Sequence, residues 1–522
     1  MKVINRIKLH NFKKFQNFEL SLDEKLNILV GENESGKSSI LSAIALVLGG
    51  NRSQIEKLGF ERLMNKGAID AFLETDKRYH ELPTAHVELW LNEQSNEALF
   101  GRNNSESTDC DGLRMEFCPR DEYAREIREI LSQEEADFPY EFYQVKFTTF
   151  QGDAYSSYKK FLRHILIDTS QIGSDYAVRE YVGEMYKTWA TDSEIVRHQF
   201  EYRRVKTGFE QDSLSELNAR LSDYSFSLKS DSRSNLKSDL TIIEDEIGIE
   251  NKGKGKQCFI KTEFALKKSE GINHKIDIAL IEEPENHLSH INMKKLVSQI
   301  GESDDKQLVI ATHSNMISSR LDLRNTILLH PSSNQPVKLN DLSNDTAEFF
   351  IKAPYHEVLD FVLSGKVLLV EGDSEYILME KFYEMELGHK PNQDDVHIFS
   401  VGGTSFKRYL EVATLLNKKT AVVRDNDGDY RGNCIDLYED YLNDSNRIFS
   451  DLNNERYTLE VCLYADNSVF CEDQFSEGRR TLTVQEWMLK NKAEASLKIL
   501  ENMNVDFQVP QYIRDAIQWI SA

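Results

Sequence analysis

No run in this 522-residue chain approaches the ~20 apolar residues that a membrane span needs. The longest, "ILSAIALVLGG" (40–50), falls well short. The start, "MKVINRIKLHNF", alternates like a strand and has no apolar signal-peptide core. Cysteine is scarce and unpaired in sequence: Cys110, Cys118, Cys258, Cys434, Cys462 and Cys471 form no CxxC. That argues against a zinc ribbon and a disulfide framework, and for a reducing cytoplasm with no membrane partner. No repeat period or sustained heptad is visible, which disfavours a long coiled-coil arm. Positive charge is also short, with 63 Lys and Arg against 87 Asp and Glu and a net charge of −24. Bulk charge therefore argues against a polyanionic partner, but exposed charges are screened over ~8 Å at physiological salt. A local basic groove remains open, and "NKGKGKQCFIKTEFALKK" (251–268) is one local excess.

What is present fits several domains, two to four at this length. Residues 1–170 read as strands, a glycine loop, a helix and more strands ("HVELWL", "GLRMEF", "EFYQVKFTTF"). Residues 171–245 are polar and helix-favouring, a helical insert whose serine-rich "SLKSDSRSNLKSDL" suggests a mobile tip and which is the likeliest dimer contact after the shared site below. Strands return over 246–345 at "IDIALIEEP", "QLVIATHS" and "NTILLH", before a polar connector (331–345). Residues 346–522 then alternate "KVLLVEG", helix, "VHIFSVGG", helix, "KTAVVRDNDGD". Strands separated by helices predict an α/β fold with parallel sheets.

The stretch "LVGENESGKSS" has Gly31, Gly36, Lys37 and Ser38 at the spacing G-x-x-x-x-G-K-[ST], between a strand and an apolar helix. Backbone N–H groups of such a loop close around a β-phosphate, Lys37 reaches the β/γ oxygens and Ser38 offers its hydroxyl to Mg²⁺. Asn33 and Ser39 belong to the same loop. Glu32 and Glu34 are tolerated because side chains at the variable positions face outward. Downstream, Glu282 and Glu283 end an apolar strand; the first acid suits Mg²⁺ and the second can polarise the attacking water. His313 ends another strand, where its imidazole could contact the γ-phosphate, and Gly253 and Gly255 open a helix whose N-terminus suits phosphate.

This order resembles the ATP-binding-cassette ATPases of the recombination and chromosome-maintenance type, whose lysine loop often reads N-E-x-G-K-S. The resemblance implies a homodimer or higher homo-oligomer with ATP shared between two heads. Lys37, Glu282, Glu283 and His313 would come from one head, and Gly253 and Gly255 from the other. The sequence departs from the common L-S-G-G signature and has Glu282 where Asp is usual. Both departures leave room for slow or mainly regulatory turnover.

In the last segment Glu371 ends a strand and Glu375 follows one helical turn later, while Asp425, Asp427 and Asp429 follow another strand. Acids at i and i+2 of an extended segment point the same way, so Asp425 and Asp427 could share a hard cation. Ligand sites of parallel sheets lie at the strands' carboxyl ends, which would gather these acids in one crevice. Such crowding needs neutralising cations, Mg²⁺ or Mn²⁺. The pattern resembles the Toprim domain of primases, topoisomerases and certain nucleases, whose acids map to Glu371, Asp425 and Asp427.

A lysine-loop ATPase followed directly by Toprim resembles the overcoming-lysogenisation-defect (OLD) family of nucleases over nearly the whole chain. Two later positions match it: Glu460 in "YTLEVCL", read as a strand residue and further metal ligand, and Lys492 on a helix, suited to stabilising charge on a cleaved phosphate. The family implies a metal-dependent DNA endonuclease under ATPase control, serving in defence against phage. Some members act with a helicase or with a retron reverse transcriptase and its DNA. Two other readings stay open at this point: a DNA-binding ATPase clamp with a scaffold Toprim, and a nucleotide-hydrolysing toxin without DNA.

Overall fold

The structure is a computed structural model. It describes residues 2–133, 137–168, 175–220, 225–228, 236–266, 276–314, 317, 321–331, 335–352, 358–403, 405–476 and 482–522. Half of the expected serine-rich stretch, residues 229–235, lies outside the described residues. Contacts divide the chain into two units, Met1–Ile317 with Asn325–Pro336, and Ser318–Arg324 with Val337–Ala522. The last boundary between the units thus falls inside the polar 331–345 stretch.

The first unit holds two sheets. In the antiparallel one, β1 (Ile4–Phe12) lies between β2 (Phe15–Ser21) and β4 (Ala85–Leu91), followed by β5 (Cys110–Pro119) and β6 (Tyr143–Thr149). Its strands alternate: Ile7, Leu9 and Phe12 are buried while Arg6, Lys8 and His10 stay partly open. That is the pattern of a sheet with one face on a core. The second sheet is parallel. Here β3 (Leu26–Gly31), β7 (His164–Asp168), β8 (Ile278–Glu282), β9 (Gln307–Ala311) and β10 (Thr326–Leu329) run in the order β10-β3-β9-β8-β7. The central β9, "QLVIA", is buried throughout, the continuous run of a strand covered on both faces. Helix α1 (Lys37–Gly49) leaves the end of β3.

The 171–245 stretch contains helices α2 (Asp175–Trp189) and α3 (Asp192–Ser213). Thr191 and Glu194 form a capping box at the start of α3, a device worth about 1 kcal/mol. Helix α4 (Lys254–Leu266) precedes β8 and buries Cys258, Ile260 and Ala265.

The second unit has a four-stranded parallel sheet. Strands β11 (Lys366–Val370), β12 (Val396–Ser400), β13 (Thr420–Val423) and β14 (Asn446–Phe449) run in the order β12-β11-β13-β14. Helices α5 (Asp373–Leu387), α6 (Leu459–Asp466) and α7 (Lys492–Asn502) share a core with it through Leu378, Phe382, Leu463 and Ile499. The α/β class and the parallel sheets agree with the sequence expectation. One element differs: "YTLEVCL" is not a strand but opens α6, because the Thr458 side chain accepts from Val461 N and caps the helix. A side-chain cap outweighs the strand propensity of Thr, Val and Leu here.

Candidate functional site

In the first unit β9 lies between β3 and β8, so their carboxyl ends bring the lysine loop, the paired acids and His313 together. Gly36 is the N-cap of α1 at φ +102, and a Cβ there would fall 2.3 Å from Phe15 Cζ. No other residue type fits without displacing that ring. Glu32, Asn33 and Glu34 are exposed, while Lys37 is buried and donates to Gly31 O at 2.7 Å and Glu32 O at 2.9 Å. A cleft of about 510 Å³ opens here, lined by Asn33, Lys37, Ser38, Ser39, Glu283 and His313. Its size suits a small ligand.

The acids are already tied. Ser38 hydrogen-bonds Glu282, and burial raises that carboxyl's pKa against this bond. Asn286 Nδ2 donates to Glu283 Oε2 at 2.9 Å, and His313 Nε2 lies 3.3 Å from Glu283 Oε1. Burial, helped by Lys37, holds the His313 imidazole below its ordinary pKa. Burial also lowers Lys37, opposed by Glu283, Glu282 and Glu285. Three side chains here were not singled out by sequence. Lys14, in the two-residue turn between β1 and β2, donates to Glu34 O at 2.9 Å and Pro331 O at 3.1 Å and lines the cleft. Glu285 accepts from Thr312 Oγ1 at 2.7 Å and His313 N at 2.8 Å. Asp168 stands opposite Glu282 in the β7–β8 register. The only signals available were a Lys-Lys turn and the third acid of "EEPE".

Gly253 and Gly255 do begin α4, but they differ. Gly253 faces open space, whereas a Cβ on Gly255 would fall 2.1 Å from His287 O in the same chain. Close packing alone therefore demands glycine at 255.

In the second unit β11 and β13 are neighbours, with Val370 opposite Val423, so Glu371 and Asp425 meet just beyond them. The Asp425 backbone N–H bonds the Glu371 carboxyl, and Leu459 N at the start of α6 donates to Asp425 Oδ1 at 2.8 Å. Lys492, first residue of α7, lies 3.2 Å from Glu460 Oε2 and 3.8 Å from Asp425 Oδ2. Glu375 is buried and accepts from Gly372 N at 3.1 Å. Burial and the neighbouring acids push Asp425 up to about 8 and Glu375 up to about 7. Burial would lower Lys492, but Glu460 and Asp425 more than reverse it.

Two aspartates do not behave as the extended spacing implied. Strand β13 stops at Val423, and Asp427 has φ +49, so Asp425 and Asp427 are not an i, i+2 pair on one face. Asp427 is instead half-exposed and paired at 3.1 Å with Arg424, whose guanidinium is buried and also bonds Tyr438. Asp429 is exposed and accepts from Gly432 N, which makes it a turn residue. Among the described residues no three acids, histidines or cysteines already stand in metal-ligating geometry.

The family comparisons agree with this division. A family model described as "AAA domain" matches residues 6–172, and one described as "Overcoming lysogenization defect protein-like, TOPRIM domain" matches 362–427. The chain joins an AAA-type ATPase domain to an OLD-like Toprim domain. The ATPase part is similar to structural maintenance of chromosomes protein 6 of Saccharomyces cerevisiae, 44% identical over 69 residues, 13% of this chain and 6% of that protein. It is also similar to the DNA double-strand break repair Rad50 ATPase of Thermoplasma acidophilum, 38% identical over 77 residues, 15% of this chain and 8% of that protein. The chain thus spans less than a tenth of the length of these two curated relatives. The C-terminal region of the Xanthomonas campestris pv. campestris OLD protein is 21% identical with TM-score 0.24, covering 30% of this chain and 94% of that one.

An ATPase domain implies ATP, and Toprim domains generally use divalent metals. The donor sets fit both. The cleft carries a buried lysine beside a glycine-capped helix N-terminus, which suits a phosphate chain. In the Toprim domain, Glu371 Oε2 and Glu460 Oε1 are buried without a hydrogen-bond partner among the described residues. Oxygen-only donors, buried and unsatisfied, suit a hard cation. Among the described residues no helix is long and apolar enough to cross a membrane.

Proposed function

We propose that this chain is an ATP-controlled, divalent-metal-dependent DNA endonuclease of the OLD type, cleaving phosphodiesters at its Toprim cluster. The observation that carries the reading is the set Glu375, Asp425 and Glu460, buried beside Lys492 with the half-buried Glu371, and with carboxylate oxygens of Glu371 and Glu460 left unsatisfied among the described residues. A scaffold has no need of such costly crowding. Bound there, Mg²⁺ or Mn²⁺ would activate water and stabilise the leaving oxygen. Glu371, Asp425 and Glu460 would hold it, with Asp425 kept in place by the Leu459 N–H. Glu375 secures the start of α5 through Gly372 N, and Arg424 draws Asp427 to the edge of the cluster. Lys492, now paired with Glu460 and Asp425, would meet the negative phosphate. In the ATPase domain Lys37 and the loop N–H groups would bind the phosphate chain, Ser38 and Glu282 its Mg²⁺, Glu283 would orient water, and His313 would meet the γ-phosphate.

Rad50 is named for double-strand break repair and the chromosome-maintenance proteins for chromosomes, which favours DNA as the partner here too. We read the chain as at least a homodimer. Helix α3 exposes Val196 with Phe200 and Val205 with Phe209, each pair one turn apart, which a second copy would cover. The resemblance adds a role in defence against phage. The deciding experiment incubates pure protein with plasmid DNA in Mg²⁺ or Mn²⁺, with and without ATP. Nicking that needs metal and Asp425 supports the reading; intact plasmid under every condition, beside normal ATP turnover, leaves the ATPase clamp in its place.

A further inference from the structure

The turn after β8 holds two non-glycine residues in the left-handed region, Glu283 at φ +44 and His287 at φ +65. L side chains adopt this conformation only where the surroundings over-determine it. Glu283 N donates to Ala311 O at 2.8 Å, Asn286 N to Glu283 O at 3.0 Å and Leu288 N to Glu285 O at 3.1 Å. The turn so fixed aims Glu285 inward, at the loop after β9. There its Oε1 accepts from both the Thr312 hydroxyl and the His313 N–H, and the Thr312 oxygen in turn accepts from Ser314 N at 2.9 Å. Glu285 Oε2 is buried with no hydrogen-bond partner among the described residues. A third acid is thereby held close to Glu282 and Glu283, an arrangement that like-charge repulsion and desolvation both oppose.

We propose that Glu285 is a positioning residue of the ATPase, fixing the His313 loop so that the imidazole meets the terminal phosphate of the nucleotide. This rests on the ATPase reading of the cleft. Glu285 touches no phosphate itself. It acts by joining the turn that carries Glu283 to the loop that carries His313, which is why Glu283 Oε1 and His313 Nε2 lie only 3.3 Å apart. A side chain acting this way matters in the transition state, where the imidazole must hold its place, more than in nucleotide capture.

The test is steady-state ATP hydrolysis by the full chain, together with the affinity ratio for fluorescent ATP and ADP analogues. Glu285→Ala is expected to lower kcat ~10-fold or more while KM for ATP stays within ~3-fold. Glu285→Gln keeps an oxygen for both donors and is expected to recover to within ~3-fold of the natural chain. In a His313→Ala background Glu285→Ala should add less than ~2-fold, because residues that act as one unit are not additive. If Glu285→Ala does not fold, Thr312→Val removes one of the two donors and is expected to lower kcat by a smaller factor, again only when His313 is present. An unchanged kcat, or an equal loss with and without His313, overturns the inference. Turnover and ATP preference that survive Lys37→Ala defeat the ATPase reading itself, and this inference with it. Loss in Lys37→Ala beside full activity in Glu285→Ala defeats the inference alone.

Discussion

Both units end neighbouring parallel strands in carboxylates, but the two groups of acids are neutralised in different ways. In the ATPase domain each acid has a donor from the chain: Ser38 for Glu282, Asn286 for Glu283, and Thr312 with the His313 N–H for Glu285. Lys37 lies among them. In the Toprim domain Glu371 Oε2 and Glu460 Oε1 lack a hydrogen-bond partner among the described residues, and Asp425 shares Lys492 with Glu460. The first set is only partly balanced before a ligand arrives, since burial still raises the Glu282 and Glu285 carboxyls and Glu285 Oε2 has no hydrogen-bond partner among the described residues. The second needs protons or a cation to supply the missing charge, and its carboxyls are pushed much further, to about 8 at Asp425 and about 7 at Glu375.

If that contrast is right, each site can be disabled alone. Lys37→Ala should abolish ATP binding, because the buried ammonium proposed to meet the phosphates is gone, while metal binding at the Toprim acids is unchanged. Its counterpart Glu283→Gln should still bind ATP but hydrolyse it poorly; normal turnover in that variant would remove Glu283 from its role. Next in size, Asp425→Ala or Glu371→Ala should cost DNA cleavage at least ~100-fold, about 3 kcal/mol in the barrier, with ATP binding retained. Asp425→Asn should fail nearly as badly, since a neutral amide cannot replace the charge that holds a hard cation. Plasmid nicking in Mn²⁺ beside nucleotide binding on the same preparations reads both, and unchanged nicking would refute the nuclease.

A smaller effect tests the balance directly. Mn²⁺ at ~100 times its dissociation constant should stabilise the metal-free protein by about 2.7 kcal/mol, read as a rise in melting temperature. Glu371→Ala and Glu460→Ala should lose that rise, whereas Lys37→Ala should keep it. Equal rises in all variants would place the ion elsewhere. A last effect lies outside both sites and concerns His86 on β4, stacked 5.0 Å from His10. Burial, with Arg114, His10 and Lys8, lowers its pKa to about 3. The unfolded chain then takes up this proton first, so the stabilisation is complete above pH ~6.5 and is lost as pH falls toward ~3. Urea titrations from pH 7 to 4 should give a shallower acid loss for His86→Leu, by up to about 1.4 kcal/mol per pH unit. Parallel curves would exclude His86 as the source.

Much of this contrast could be read from sequence, for a physical reason. Lysine loop, strand-end acids and parallel strands are local patterns, and each is written within a dozen residues. What escaped depends on partners far away. Glu285 makes its bonds 27 residues on, and Lys14 reaches Pro331 across 317 residues. Glu460 was read as a strand residue because Thr, Val and Leu favour strands, and only the Thr458 cap overrules them. The Asp425–Asp427 pairing assumed extended backbone, but sheet pairing ends at Val423 and the "DNDG" turn puts Asp427 at positive φ. At Gly255 the sequence offers only the spacing of a helix start, whereas the structure adds that a Cβ would fall 2.1 Å from His287 O.

The Leu459 N–H to Asp425 bond and the Lys492 ion pairs mean that the second site is stitched from three distant stretches of chain. A protein severed in the interval between Asp429 and Asn446 would leave Glu371, Glu375 and Asp425 on one piece and Glu460 with Lys492 on the other. Neither half could carry the full complement of charges, so the cleavage proposed for this site would return only when the halves find each other. That makes the interval a natural place to divide the molecule into a two-part reporter, silent until its pieces are brought together.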